Sequence, residues 1–227
     1  MLERIYTKDE TIRVYQDERG RTYVGVTSAM RLVKDLLGEE PDNYGPPAMA
    51  KIHAQEGTWC HEVCLDWLAW KAKWLPSFEP PKWDPTLHPD ERIMRNVVAD
   101  AQLGFAEFVD QYEVEPIAIE IEVLAPAWGM VGHVDLVCTL LWKGRRVKAI
   151  IDLKFVTKLL YTHRLQVRCY HRCQGLQDAS LGLLYQGDRN TGLWTIQQVD
   201  LKSGQDDVAA VANAARLVAW SVQKGRS

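Results

Sequence analysis

The feature that most constrains the fold is a series of three β-type segments between Val114 and Lys154. From 117 to 124, three isoleucines and a valine alternate with other residues, which is the two-residue period of a strand. Residues 130–142 and 147–154 form two further apolar segments, joined by the tight turn at 143–146. Strands joined by such short turns pair antiparallel, so the sequence predicts a three-stranded meander.

Helical segments are predicted on both sides of this meander. Upstream we expect helices over 29–34, 48–74 and 92–112, the first capped by Thr27 or Ser28 and the second interrupted or closely contacted at Gly57. In the third helix the expected apolar positions are Ile93, Val97, Leu103 and Phe108. Downstream we expect helices over 161–178 and 206–223.

The remaining segments are predicted to be hairpins and loops. A hairpin is expected from Thr11 to Val26, and another pairs 181–185 with 193–199. Loops are expected from Pro41 to Pro47 and over 76–90, where five prolines occur. This order of elements predicts an α/β core with a helical N-terminal part.

The bulk composition fits one domain. The chain has 227 residues, of which 47% are hydrophobic and 25% charged, so a single domain over 1–227 is expected. We divide it into 1–112 with the hairpin and helices, 113–200 with the sheet, and 201–227 with the last helix. No signal peptide and no membrane-spanning run is recognised, and five cysteines suggest reduced thiols in a cytoplasmic protein.

Charge is distributed unevenly along the chain. The net charge is −3, yet 143–172 holds nine Lys or Arg residues against one acid, Asp152. Such a cluster is either a solvated surface or a track for phosphates.

Two acids and a lysine lie within the predicted strands. Asp152 and Lys154 point to one face because strand side chains alternate, and the short turn brings Asp135 beside Asp152. Neighbouring carboxylates repel unless a cation lies between them, and Mg²⁺ prefers oxygen ligands, including a main-chain carbonyl such as that of Leu153. A fixed lysine beside such an ion suits hydrolysis of a phosphodiester.

The Asp-x-Lys spacing alone is not specific. Asp200-Leu201-Lys202 repeats it at the end of a later strand, without a preceding mid-strand acid. The order of four motifs is more informative, namely Gly57-x-x-x-His61, Gly132-x-x-Asp135, Asp152-x-Lys154 and Gln166-x-x-x-Tyr170.

Over about residues 27–200, these motifs resemble the PD-(D/E)XK nuclease superfamily. The resemblance is to the branch of the RecB nuclease domain, the CRISPR-adaptation exonucleases, the mitochondrial genome maintenance exonuclease and many phage exonucleases. It implies a restriction-endonuclease-like core, which is a central mixed sheet of about five strands flanked by helices.

The resemblance also implies roles for individual residues. Metal ligands would be His61, Asp135, Asp152 and the main-chain carbonyl of Leu153, for one or two Mg²⁺ or Mn²⁺ ions. Catalytic residues would be Lys154, Asp152, Asp135 and Glu120, with Glu122 on the same face as Glu120. Substrate-binding residues would be Gln166, Tyr170, Arg164 and Arg168.

Several residues have a plain structural reading beside the functional one. Gln166 and Tyr170 can be a surface pair, and Arg164, Arg168 and Arg172 a solvated stripe. Trp83 and Trp128, in loops, are candidates to touch DNA. The pairs Cys60/Cys64 and Cys169/Cys173 do not match the spacing of the iron–sulfur cluster found in some relatives, so packing is expected for them.

The implied function is a metal-dependent DNA exonuclease in phage or bacterial recombination, replication or repair. Its partners would be single- or double-stranded DNA with a free end and a single-strand-binding or recombination protein, in the cytoplasm (the host's, for a phage protein). The alternatives are an endonuclease or nickase with the same site, and a DNA-binding member of the fold without catalysis. Polarity, strand preference, DNA versus RNA and oligomeric state stay open.

Overall fold

The computed structural model describes residues 2–5, 12–39, 47–188 and 191–224. Within these ranges there are eight strands: β1 (Leu2–Ile5), β2 (Val14–Asp17), β3 (Thr22–Gly25), β4 (Glu115–Ala125), β5 (Met130–Trp142), β6 (Arg145–Lys154), β7 (Leu181–Gly187) and β8 (Trp194–Val199). The α-helices in the same ranges are α1 (Val26–Leu37), α2 (Pro47–Lys71), α3 (Glu91–Gln111), α4 (Tyr161–His171) and α5 (Gln205–Lys224).

The strands form one mixed sheet, which confirms the α/β class. Its order is β1-β2-β3-β5-β6-β7-β8, and β4 pairs with β5 outside this path. The predicted meander is present, since β4–β5 and β5–β6 are antiparallel. The strand β7 then pairs parallel with β6 across the α4 crossover, and β8 returns antiparallel.

The sheet is larger than the five or so strands expected. The additional strands β1–β3 come from the N-terminal part, which is therefore not purely helical. They join because β3 pairs parallel with the beginning of β5, through Val24 with Met130 and Gly25 with Val131. The hairpin of β2 and β3 agrees with the prediction, although Thr11 lies outside the described residues. The sequence gives little sign of β1, which has only four residues.

Helices cover the sheet from two sides and enclose two separate cores. The first core contains buried residues of α1, α4 and α5, and the second contains those of α2 and α3. Neighbouring residues of β6 divide between the cores, with Ile150 in the first and Ile151 in the second. Asp152, two residues from Ile150, therefore lies on the α4 side. Among the described residues, no helix is both long and apolar enough to cross a bilayer.

The predicted cap of α1 is wrong. The helix begins at Val26 after Gly25, and none of the side chains that the structure describes caps it. Ser28 is instead buried inside the first turn, where its hydroxyl accepts a hydrogen bond of 2.8 Å from the Arg13 main-chain N–H. The helix α2 runs through Gly57 without a break. Of the loop predicted from Pro41 to Pro47, residues 41–46 lie outside the described residues, and Pro47 is the first residue of α2. Residues 189 and 190 of the second hairpin turn also lie outside the described residues.

Two details of the later helices also differ. In α3, Ile93 and Leu103 are exposed rather than apolar contacts, since the buried stripe runs through Met94, Val97, Val98, Ala101, Phe105 and Phe108. The helix α4 ends at His171 rather than near 178. The following segment turns through Gly175, whose φ of +80° is a left-handed conformation that favours glycine.

Candidate active site

Four of the predicted residues lie together although they come from three elements. His61 lies in the middle of α2, Asp135 in β5, and Asp152 with Lys154 at the end of β6. The Nε2 atom of His61 is 3.0 Å from Oδ2 of Asp135, and the Nζ atom of Lys154 is 2.7 Å from Oδ2 of Asp152. The α2 helix thus contributes one side chain to a group otherwise carried by the meander.

The two aspartates face each other because of the strand register. The β5–β6 pairing runs from Trp142–Arg145 to Leu136–Ile151, and continuing it by one residue places Asp135 opposite Asp152. At this point the Oδ2 atom of Asp135 accepts a hydrogen bond of 2.7 Å from the Leu153 main-chain N–H. The Asp135 side chain therefore connects β5 to β6 where the ladder ends.

Asp152 is fully buried, and within the described ranges neither of its carboxylate oxygens meets the geometric criteria for a hydrogen bond. The Nζ atom of Lys154 lies 2.7 Å from Oδ2 of Asp152 and forms an ion pair with it. Burial raises the pKa of Asp152 to about 6, against the opposing effect of the Lys154 charge. A buried carboxylate with unsatisfied oxygens is costly unless a cation or a donor uses it.

His61 lies between two acids of this site, with Nε2 next to Asp135 and Nδ1 next to Glu120. Burial disfavours its protonated form, but hydrogen bonds to Asp135 and Glu120 outweigh burial and raise its pKa to about 10. In turn, His61 lowers the pKa of Glu120, and it lowers the pKa of Asp135 against the effect of that residue's burial. The site is therefore a compact alternation of positive and negative groups.

Of the two candidate glutamates on β4, Glu120 and Glu122, it is Glu120 that lies at this site. Its Oε1 atom is 3.5 Å from Nδ1 of His61, whereas Glu122 lies 3.6 Å from Nε2 of His133. Glu120 has a φ of +48°, which is uncommon for a residue other than glycine and is found more often at functional sites.

The sequence reasoning missed two acids on α2 next to His61. The pKa of Glu62 is raised by its partial burial and then by the charges of Asp66 and Glu120. The pKa of Asp66 is raised by burial and by Glu120. Glu62 and Asp66 are one helical turn apart, and this spacing directly after His61 is the signal that could have found them.

A cavity of about 660 Å³ opens beside these residues. Its lining includes Arg13, His53, Gly57, His61, Glu120 and Lys154. Arg13 and His53 were not predicted. The signal for His53 is the four-residue spacing of His53, Gly57 and His61, which places them along one side of α2.

Gln166 and Tyr170 lie behind the aspartates rather than in the cavity lining. Both are buried, and the Gln166 amide donates a hydrogen bond to the Tyr170 hydroxyl. The Tyr170 ring packs against Gly132, where a Cβ atom would lie 2.7 Å from Cε1 of the ring. This contact gives a structural reason for the glycine of the Gly-x-x-Asp motif, while the substrate-binding role stays a prediction.

The two predicted arginines contact β8 and the residue that follows it. Arg164 donates to the Gln197 side chain at 3.1 Å, and Arg168 donates to the Asp200 carbonyl at 3.1 Å. Neither lines the cavity, and their phosphate-binding role also stays a prediction. The Asp200 carboxylate accepts from the main-chain N–H of Lys202 at 2.9 Å. The second Asp-x-Lys is therefore a turn.

The structure also gives the positions of the two loop tryptophans and of the five cysteines. The Trp83 indole N–H donates to the His88 carbonyl, and Trp128 is packed partly against the first core. All five cysteines are buried free thiols. Cys60 and Cys64 belong to the second core, while Cys169 and Cys173 belong to the first, so the two pairs do not face each other.

The donor set suits a hard divalent cation. His61, Asp135 and Asp152 supply one imidazole and two carboxylates, and the unsatisfied buried oxygens of Asp152 are the specific observation that fits such a ligand. In the described ranges, no three His, Cys, Asp or Glu side chains are grouped so that they could hold a metal ion. His61 and Lys154 instead contact the two aspartates directly.

Comparisons with known proteins add little. No protein-family model matches the chain, and no curated protein matches it. The chain is similar to a solved structure titled "Crystal structure of SSO0001", with 13% identity and a TM-score of 0.33. The match covers 58% of this chain, and the chain spans about 62% of the length of that one. Similarity at this level carries no argument about fold or activity.

Proposed function

We propose that this protein is a divalent-metal-dependent nuclease that hydrolyses phosphodiester bonds in DNA. The observation that carries the proposal is the meeting of His61, Asp135, Asp152 and Lys154 from three elements, with Asp152 fully buried and its Oδ1 atom without a hydrogen-bond partner among the described residues. Such a buried, charged group next to an open cavity is typical of a catalytic site.

We place the chain in the PD-(D/E)XK superfamily, with a restriction-endonuclease-like core formed by β4–β8. The antiparallel β4–β5–β6 meander, followed by α4 and the parallel β7, is consistent with this assignment. The four motifs, in order along the chain, are the sequence support for it.

In this proposal His61, Asp135, Asp152 and the Leu153 carbonyl hold one or two Mg²⁺ or Mn²⁺ ions. A bound ion would supply Lewis-acid polarisation of the scissile phosphate and activation of water. Lys154 would orient the attacking water or stabilise the charge that develops on the phosphate. Glu120 would hold His61 in place, since it contacts the other ring nitrogen.

The substrate we favour is DNA with a free end, attacked as by an exonuclease, in phage or bacterial recombination, replication or repair. Arg13, His53 and Lys154 give the cavity wall cationic and hydrogen-bonding groups suited to a phosphate backbone. We expect the protein to hydrolyse DNA in the cytoplasm, with a single-strand-binding or recombination protein as partner.

The test is degradation of end-labelled linear DNA in Mg²⁺, in Mn²⁺ and in EDTA. We expect cleavage by the wild type only with a metal, and a loss of at least about 100-fold in Asp152→Ala and Lys154→Ala, since each removes a group acting on the transition state. DNA binding by Lys154→Ala should stay close to that of the wild type.

Lys202→Ala is the matched control, because Lys202 occupies the same tripeptide in an exposed turn. It should cut like the wild type. Equal activity of the wild type, Asp152→Ala and Lys154→Ala would refute the proposal, and binding without cleavage in either metal would indicate a DNA-binding protein instead. Cutting of circular single-stranded or supercoiled DNA, which have no ends, would indicate an endonuclease or nickase.

A further inference from the structure

Arg13 lies in the wall of the cavity although it belongs to none of the elements of the proposed core, β4–β8. It directly precedes β2, whereas Lys154 of the same wall ends β6. These are the two Lys or Arg residues of the described lining, and Lys154 is 2.7 Å from Oδ2 of Asp152. Within the described part of the chain, the Arg13 guanidinium forms no hydrogen bond or ion pair. Because arginine is always charged, it brings a cation with free donors to this cavity.

The topology of the sheet explains why Arg13 reaches the cavity. At its first two residues β5 pairs with β4 on one edge, so β3 pairs with the other edge, which β3 shares with β6. The strand β3 runs parallel to β5 and β6 runs antiparallel to it, so their carboxyl ends approach each other along this edge. Arg13 lies beside the end of β3, since the register of Val14 with Val24 continues to Arg13 and Gly25. The β2–β3 hairpin therefore places Arg13 near the end of β6, which carries the proposed catalytic lysine.

The main chain of Arg13 is held through both its N–H and its carbonyl. The N–H donates to the Ser28 hydroxyl at 2.8 Å, and the carbonyl accepts from the Gly25 N–H at 2.9 Å. Ser28 is 4% exposed, and a Cβ atom at Gly25 would lie 3.4 Å from the Arg13 carbonyl oxygen. A shift of the main chain would break both hydrogen bonds, so the flexible arginine side chain starts from a fixed point at the cavity wall.

We propose that Arg13 binds a phosphate of the DNA strand in the cavity, so that the β2–β3 hairpin completes the substrate site. A guanidinium can form two parallel hydrogen bonds to one phosphate, which gives the contact a direction as well as a charge. Ser28 and Gly25 are positioning residues for Arg13. The inference rests on the proposed function for its ligand, and it adds a segment outside the proposed core to the part of the chain that recognises DNA.

The test is equilibrium binding to short single- and double-stranded oligonucleotides, measured by fluorescence anisotropy with Mg²⁺ in the Asp152→Asn background so that the DNA stays intact. We expect Arg13→Ala to bind about tenfold more weakly, the size of one hydrogen bond between charged groups. The slope of log affinity against log salt concentration should become shallower by about 0.7 on single strands or about 0.9 on duplex DNA, since one phosphate contact is lost. Arg13→Lys keeps the charge and should keep the slope, but it should recover only part of the affinity because it lacks the planar fork.

Oligonucleotides in which one phosphate at a time is a neutral methylphosphonate identify the contacted phosphate. With Arg13 present, neutralising that phosphate should weaken binding about tenfold, and the loss should disappear in Arg13→Ala because both changes remove the same contact. Arg19→Ala is the matched control, since Arg19 is an exposed arginine in the turn of the same hairpin and outside the described cavity lining. It should keep both the salt slope and the methylphosphonate profile.

Kinetics of the cleaving protein separate a binding role from a structural one. Arg13→Ala should raise KM about tenfold and change kcat by less than about twofold, as expected when a contact is equally strong in the ground and transition states. Ser28→Ala should raise KM by less, because the arginine remains and only its support is lost. The Arg13 side chain is exposed and both hydrogen bonds of this residue come from its main chain, so Arg13→Ala should unfold at the Tm of the wild type.

An unchanged salt slope and methylphosphonate profile in Arg13→Ala would refute the contact, as would an equal loss of affinity in Arg19→Ala. If Arg13→Ala unfolds at a lower Tm, the comparison of Arg13→Lys with the wild type at each neutralised phosphate decides instead, and equal profiles and affinities would refute the contact. Binding that depends on Arg13 without any cleavage would overturn the nuclease proposal and support the contact. Cleavage with the KM of the wild type in Arg13→Ala would overturn the contact alone.

Discussion

Replacing Gly132 by alanine should shift the strand that carries Asp135. A Cβ atom at this position would lie 2.7 Å and 2.8 Å from two carbons of the Tyr170 ring and 3.2 Å from Cγ2 of Val123. Non-bonded carbon atoms normally approach to about 3.5–4.0 Å. The ring would have to retreat by close to an ångström, and it is 1% exposed, so it has no open space to enter.

We expect Gly132→Ala to lower the free energy of unfolding by about 2–3 kcal/mol, the upper part of the range for overpacking. For a chain of this length, that is a drop in Tm of roughly 4–12 °C. Without the clash, alanine would stabilise a strand by about 0.5–1 kcal/mol relative to glycine. Because Asp135 follows three residues later, cleavage should fall as well.

The assay is urea denaturation of Gly132→Ala, Tyr170→Leu and the double variant. Leucine removes the ring, so alanine at 132 should cost less than about 1 kcal/mol in that background, giving a coupling energy above about 1 kcal/mol. Gly57→Ala is the control, since a Cβ there meets no atom of the described part of the chain within 4 Å and should stabilise α2 by about 0.5–1 kcal/mol. An equal penalty for Gly132→Ala in both backgrounds would refute the reasoning.

Three more predictions concern buried polar groups. In EDTA, the free energy of unfolding of Asp152→Asn relative to the wild type should rise with pH between about 4 and 6. The reason is that the pKa of Asp152 is about 6 in the folded wild type and lower in the unfolded chain, so the wild type loses stability as the pH rises through this window, by up to about 3 kcal/mol. A difference in denaturation that does not change with pH would contradict this. Ser28→Ala should cost about 1–2 kcal/mol by leaving the Arg13 N–H without its acceptor, whereas the exposed Thr27→Ala should be close to neutral in the same denaturation assay. The five buried thiols should not react with a thiol-labelling reagent at pH 8 until the protein unfolds, since burial raises the pKa of Cys138 and Cys173 to about 12; labelling of the native protein would show that the cores open.

The elements with a strong periodic pattern could be predicted from the sequence, and so could their pairing. The β4–β6 meander follows from alternation and two short turns, and its register brings Asp135 opposite Asp152. The strand β1 could not be predicted, because a strand of four residues carries almost no periodic signal. The pairing of β3 with β5 could not be predicted either, because parallel strands are not joined by a short turn that the sequence would show.

The errors in α1 and α3 have a common cause. A serine near a helix start predicts a cap, and an isoleucine near the start of an amphipathic helix predicts a core contact, but both depend on where the helix begins and how it is rotated. Ser28 is used by Arg13 from another segment, and Ile93 points to solvent. Tertiary contacts decided both, and local sequence does not contain them.

The site, too, has residues that local sequence patterns indicate and residues that only tertiary contacts bring to it. Spacing along the strands indicated Asp135, Asp152 and Lys154, and the resemblance to the nuclease motifs indicated His61. Arg13, next to β2, lines the cavity through its place in the tertiary structure, which local sequence does not contain. The preference for Glu120 over Glu122 depends on a backbone conformation with a φ of +48°, which no side-chain pattern predicts for glutamate.

The hydrogen bond from the Leu153 main-chain N–H gives the Asp135 carboxylate a structural role as well as its proposed chemical one. It connects β5 to β6 at the point where the main-chain hydrogen bonds between these strands end. Replacing Asp135 by alanine would remove a proposed metal ligand and also the hydrogen bond that holds the strand end with Asp152 and Lys154. Loss of activity in Asp135→Ala would therefore not show which of the two effects is responsible. Asp135→Asn keeps an oxygen acceptor for the amide while removing the charge, and it is the substitution that separates the two roles.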